Sequence, residues 1–155
     1  MGRPGRILAL IAGGAFGAAF ALDLLTKLYA VERFHARGTI VYNQRPHDLA
    51  VRIDVSVLTI AALFLLERAG RRRGLGRLWG GWICIGILVA GTLANGVSSY
   101  LWDRGVPDFI HLSGGWVWNI ADFEIVFGLL GAAAAVIVSA MIAFVWPPAP
   151  QAEEL

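Results

Sequence analysis

Asp108 and Asp122 stand fourteen residues apart, in Pro107-Asp108-Phe109-Ile110 and Trp118-Asn119-Ile120-Ala121-Asp122, the second at the mouth of a long apolar run. A carboxylate at mid-membrane costs roughly 2.5 to 3.5 kcal/mol on insertion scales, less near the interface. Two carboxylates that meet can share one proton and titrate as a unit. The ionised member takes a proton from water while the neutral one polarises a scissile carbonyl, so hydrolysis needs neither a metal nor a covalent intermediate. The same residues admit a structural role. Asn119 would cap a helix, and Asp122 at N3 would suit the helix dipole. Spacing alone weighs the two equally.

Other polar residues fall near this pair. Asp23 and Lys27 lie four apart in the acid-before-base order that favours an ion pair on a helix face. Taken alone, that pair is expected at the interface, with Lys27 snorkelling toward water. Asn43, Asn95 and Asn119 are neutral amides that can hold a peptide backbone or orient a carboxylate without adding charge. For Asn95, inside an apolar segment, interhelical hydrogen bonding is the default expectation. His35, His47 and His111 show no metal-binding spacing, so neither a metal nor another cofactor is expected. Ser98-Ser99 has no base nearby in sequence, which argues against a serine nucleophile.

The elements that must position these residues are membrane helices. Of 155 residues, 57% are hydrophobic and 15% charged, against about 25% charged in soluble domains. Mean hydropathy is +0.66. A net charge of +2 gives no reason to invoke nucleic acid, and the single Cys84 forms no internal disulfide. Four helices are expected, over about 7–31, 51–67, 78–101 and 119–146, in one integral membrane domain covering 1–155. Outer loops would cover 32–50 and 102–118, and a basic cytoplasmic loop 68–77. The second apolar run, Val51–Leu66, covers only about 24 Å, the fourth about 33 Å. Arg3 and Arg6 before the first run look like the start of a signal peptide, but the run is too long and leads into Asp23, so a retained first helix is expected. The fold class is an all-α membrane protein with a small extracytoplasmic β element, Gly38-Thr39-Ile40-Val41-Tyr42. Gly13 and Gly17, and Gly128 with Gly131, are expected to let helices approach closely.

Arg68, Arg71, Arg72, Arg73 and Arg77 share one side with Arg3 and Arg6, seven against Arg33, Arg37, Arg45, Arg52 and Arg104 opposite. The excess puts both termini in the cytoplasm. Trp79, Trp82 and Trp146 then fall at the inner interface, and Tyr29, Tyr100, Trp102, Trp116 and Trp118 at the outer one. Four spans bring Asp23, Lys27, Asn43, Asn95, Ser98, Asn119 and both aspartates to the outer face. A transporter or channel subunit would instead carry polar residues near mid-bilayer.

The order of these motifs resembles lipoprotein signal peptidase (signal peptidase II). Asp23-x-x-Thr26-Lys27 closes helix one, Asn43 lies in the first outer loop, and Asn95 comes late in helix three. Asp108-Phe109-Ile110 and Asn119-Ile120-Ala121-Asp122 then open helix four, and the resemblance covers nearly the whole chain. It implies that Asp108 and Asp122 are a catalytic dyad. Asp23, Lys27, Asn43, Asn95, Asn119 and Arg104 would support the site or contact substrate. It further implies an aspartic endopeptidase in the bacterial plasma membrane, monomeric and surrounded by lipid. The substrate would be a lipid-modified preprotein, cut before its diacylglyceryl-cysteine, with the first outer loop forming a β-cradle.

Two segments depart from the family pattern. Asn43-Gln44-Arg45-Pro46-His47-Asp48 stands where the family has Asn-x-Gly-x-Ala-Phe. Ala94-Asn95-Gly96-Val97-Ser98-Ser99 stands where it has Gly-Asn-x-x-Asp-Arg, and Asp103-Arg104 would replace that pair only with a later deletion. Both face substrate. The alternative is therefore a catalytically altered paralogue, a non-enzymatic membrane protein that binds a lipidated or helical partner. Geometry discriminates: a peptidase needs both carboxylates within one water of each other, on a groove open to lipid.

Overall fold

Long runs of Ala, Leu, Ile, Val and Gly satisfy their backbone hydrogen bonds internally only as helices once water is removed. The computed structural model describes residues 3–34, 37–44, 47–72 and 79–145. Four helices carry the chain: α1 (Arg3–Phe34), α2 (His47–Arg72), α3 (Trp79–Leu101) and α4 (Ile120–Val145). Four short strands lie between them: β1 (Val41–Asn43), β2 (Val106–Asp108), β3 (Ile110–His111) and β4 (Val117–Trp118). The helices outrun the apolar stretches, most clearly α2, because flanking polar residues continue the backbone ladder into water without penalty. Arg45, Arg73, Arg77 and Trp146, which enter the expected topology, and His35, weighed as a metal ligand, lie outside the described residues.

Among the described residues three stretches are long and apolar enough to cross a membrane: Ala9–Phe34, Gly80–Leu101 and Ile120–Ile142. The sequence predicts a fourth span at α2. That helix runs antiparallel along α3, with Ser56 hydrogen-bonded to Thr92 at 3.1 Å and the Trp82 indole donating to Glu67 at the other end. α3 is the most buried of the three, with Leu88, Ala90 and Ala94 wholly enclosed, so it is the central helix. Leu10, Leu25, Leu58, Phe127, Leu130 and Met141 expose most of their surface. Apolar faces of that extent are stable in lipid, not in water.

Small residues set the helix spacing. A Cβ on Gly128 would lie 2.7 Å from the Leu88 amide nitrogen, and one on Gly91 would lie 2.6 Å from the Ala121 carbonyl. α3 and α4 therefore touch backbone to backbone at both points. Gly13 and Gly17 differ from expectation. A Cβ at either would meet nothing within 4 Å among the described residues, and α1 meets α3 instead where Gly86 lies against Ala12. Further along α3 the core is apolar, with Leu63, Ile85 and Ala132 buried together.

At the other end the strands form two small antiparallel pairs, β1 with β2 and β3 with β4. The expected strand over residues 38–42 lies further on, at Val41–Asn43. Gly38 has φ +65°, a turn conformation that ends an extended run, so the strand begins after it. Val41 pairs with Asp108, Tyr42 with Pro107 and Asn43 with Val106. This register draws the first loop across the segment that carries Asp108.

Candidate active site

α4 starts with a reciprocal cap. Asn119 precedes the first helical residue, and its side-chain oxygen accepts the Asp122 N–H at 3.2 Å. Asp122 Oδ2 accepts the Asn119 N–H at 3.1 Å. Two otherwise orphaned donors are satisfied, and a carboxylate sits in the first turn where the helix dipole favours it. The capping role read from the sequence is thus present in full, and it leaves Asn119 Nδ2 and Asp122 Oδ1 available for other contacts.

Asn119 Nδ2 donates to Asp108 Oδ1 at 2.5 Å. Asp108 ends β2, after the buried Pro107. From there the chain turns back through a hairpin in which Phe109 N–H donates to the Trp118 carbonyl at 3.0 Å and Leu112 N–H to the Trp116 carbonyl at 2.8 Å. Gly114 and Gly115 have φ of +85° and +81°, which permits so tight a reversal. Asp108 is 4% exposed and Asn119 1%, so the contact is shielded from bulk water.

Asp122 is joined to a second group behind α4. Asn95 Nδ2 donates to Asp122 Oδ1 at 3.1 Å. Lys27 Nζ donates to Asn95 Oδ1 at 2.7 Å, to Asp23 Oδ2 at 2.6 Å and to Ser98 Oγ at 3.1 Å. Asp23 Oδ1 accepts the Ala121 N–H at 2.8 Å. One hydrogen-bonded network thus runs from α1 through α3 to the start of α4 and on to β2. Lys27 and Asp23 are both wholly buried, so the snorkelling expected of Lys27 does not occur. α1 continues seven residues past Lys27 to Phe34, and α3 offers Asn95 and Ser98, so the ammonium is solvated by protein. A buried ion pair is tolerated only when such additional partners complete it.

Both aspartates line a cavity of about 730 Å³, walled by Tyr42, Asn43 and Gln44, by Trp116–Trp118, and by Ile125 and Val126. Of the residues singled out from sequence, Asp23, Lys27, Asn95, Asn119, Asp108 and Asp122 meet in the network, and Asn43 borders the cavity. Arg104 stands apart. Its guanidinium lies over the Tyr42 ring, 5.9 Å from the centroid, and it lines a neighbouring cavity of about 540 Å³ with Glu32, Trp102 and Asp103.

Sequence reasoning missed two participants, Ser98 and the Ala121 N–H, and one buried neighbour, Glu124. Ser98 reads from sequence as a poor nucleophile on the outer face, although its position one turn after Asn95 places it beside Lys27. The Ala121 N–H carries no side-chain signal. Glu124 lies just ahead of the apolar run yet is buried against α3, and neither of its oxygens has a hydrogen-bond partner among the described residues.

Residues 15–140 match the family model for signal peptidase (SPase) II. The chain belongs to the signal peptidase II family. The match spans every member of the network, from Asp23 to Asp122. No curated protein and no solved structure matches the chain. At the head of α4 two carboxyl groups border one cavity and meet at one residue, Asn119, whose side-chain N–H donates to Asp108 and whose main-chain N–H donates to Asp122.

Proposed function

We propose that the chain is a membrane aspartic endopeptidase that removes signal peptides from lipid-modified preproteins, cutting before the diacylglyceryl-cysteine. One observation carries this: Asp108 and Asp122 line a common cavity and are both hydrogen-bonded to Asn119. In this scheme the pair holds one proton. Water attacks the scissile carbonyl carbon as its proton passes to the ionised carboxylate, and the neutral carboxyl donates to the carbonyl oxygen. Collapse of the tetrahedral intermediate breaks the C–N bond, and a proton from the pair reaches the leaving amine. Asn119 holds the two carboxyls in register, and Asn43 with Gln44 at the β1 edge offers polar groups to an extended peptide. Ile125 and Val126 give the same cavity an apolar wall suited to a lipidated side chain.

The topology proposed is four spans with α2 as the second, both termini in the cytoplasm, and the dyad at the outer face of the plasma membrane. Exposed rings of Tyr29, Tyr100 and Trp116 belong to the segments expected at the outer interface, which suits a headgroup region. The chain would act as a monomer on a substrate held in the same bilayer. The deciding experiment is cleavage of a lipid-modified preprotein in membranes. Asp108→Asn and Asp122→Asn should each abolish product while expressing normally, and turnover by either variant sinks the dyad.

A further inference from the structure

An ammonium has three donors and no acceptor. In Lys27 all three are committed: to Asp23 Oδ2 at 2.6 Å, to Asn95 Oδ1 at 2.7 Å and to Ser98 Oγ at 3.1 Å. The Ser98 hydroxyl is itself turned away, donating to the Ala94 carbonyl at 2.6 Å, so its oxygen faces Lys27 only as an acceptor. On the Asn95 amide, only the oxygen can face a donor-only group. The nitrogen must then point the other way, where it meets Asp122 Oδ1 at 3.1 Å.

We propose that Lys27 is a positioning residue of the reaction, acting at one remove by fixing which way round the Asn95 amide sits, so that an N–H is always aimed at Asp122. This rests on the peptidase function proposed above and assigns a regulator of geometry to that same site. The reversed amide would set two donors against each other at Lys27 and two acceptors against each other at an ionised Asp122. Lys27 and Asp122 therefore select the same orientation. They differ over a turnover: the Asp122 carboxyl changes its proton inventory as water is activated, whereas Lys27, enclosed by its three acceptors, does not need to. With Lys27 present the amide keeps its orientation through both states of the pair. Without it, the orientation depends on the very group whose state changes.

The test separates positioning from mere stability. Asn95→Asp keeps an acceptor for Lys27 and removes the N–H. It should lower kcat by on the order of 100-fold, with KM for the lipid-modified preprotein little changed. Lys27→Met should lower kcat comparably, and Lys27→Met combined with Asn95→Leu should be no worse than either alone, as for groups that act as a unit. Native kcat in Asn95→Asp, or losses that multiply in the double variant, overturn the proposal. Should Lys27→Met fold poorly by thermal melt, the Asn95→Asp result decides. A second readout needs no cleavage. In asparagine-15N-labelled protein in detergent, the Asn95 side-chain amide resonances should shift in both Lys27→Met and Asp122→Asn. Resonances that stay unmoved in Lys27→Met overturn the relay whatever the chain cleaves. A native chain that cuts no lipid-modified preprotein, but shows both shifts, sinks the peptidase function and leaves the hydrogen-bond relay standing.

Discussion

Asn119 donates its side-chain N–H to Asp108 at 2.5 Å while its side-chain oxygen caps the helix that carries Asp122. One amide thus holds the helix start and the strand end together. The two functions separate by substitution. Asn119→Ser keeps a capping oxygen but is too short to reach Asp108. It should retain most of the stability and lose cleavage by 100-fold or more, on the order of a misplaced reacting group. Asn119→Ala should lose both, with about 1 kcal/mol from the missing cap. Thermal melts set beside cleavage rates check this, and an active Asn119→Ser variant would show that Asp108 needs no such tether.

Glu124 carries the opposite expectation. Its carboxyl is 7% exposed and has no hydrogen-bond partner among the described residues. A buried polar group left without partners costs about 1 to 3 kcal/mol. Glu124→Met preserves the unbranched shape beside Gly91 and removes that cost, so it should raise the melting temperature in detergent. Glu124 does not border the cavity, and cleavage should stay within about threefold of native, a change worth well under 1.4 kcal/mol. A lower melting temperature would mean that the carboxyl has a partner in the membrane.

How much of this was legible beforehand depends on where each residue's partners lie in the chain. Asn119 and Asp122 are three apart, so the cap is a local pattern and could be read directly. The convergence of Asp23, Asn95 and Asp122 on one end followed from alternating spans. The burial of Lys27 did not, because its partner Asn95 lies 68 residues away, and no local rule states whether a lysine near a helix end meets water or another helix. Gly13 and Gly17 illustrate the converse. A small-residue spacing marks where a helix can be approached closely, not which helix comes, and here Gly86 makes the approach at Ala12. The β1 strand was displaced because one glycine at positive φ decides where extension begins, and glycine by itself does not announce its φ.

Gly91 links helix packing to the site. An added Cβ would lie 2.6 Å from the Ala121 carbonyl and 2.9 Å from Glu124 Cβ, directly below the cap. Gly91→Ala must therefore push the start of α4 away from α3, lengthening the Asn95–Asp122 contact. Overpacking of this kind costs about 1 to 3 kcal/mol. Gly128→Ala meets an equally close backbone, 2.7 Å from the Leu88 nitrogen, but lies well down α4. Both variants should melt lower, and only Gly91→Ala should lose activity per folded molecule. Equal specific activities would mean that the head of α4 tolerates displacement.

Arg104 tests the boundary of the site. It is exposed, its guanidinium lies over Tyr42, and the cavity it lines shares Tyr42 with that of the aspartates. An exposed cation over an aromatic face contributes about 0.5 to 1 kcal/mol. Losing it removes one contact from Tyr42, which lines both cavities, without touching the aspartate pair. Arg104→Ala should therefore raise KM by roughly two- to fivefold, consistent with that energy, and leave kcat nearly native. Arg104→Lys should fall between, since a lysine keeps the charge but stacks less well. A drop in kcat as large as that of Asp108→Asn would instead bring Arg104 into contact with the reacting groups during turnover, and β1 would then have to move to admit it.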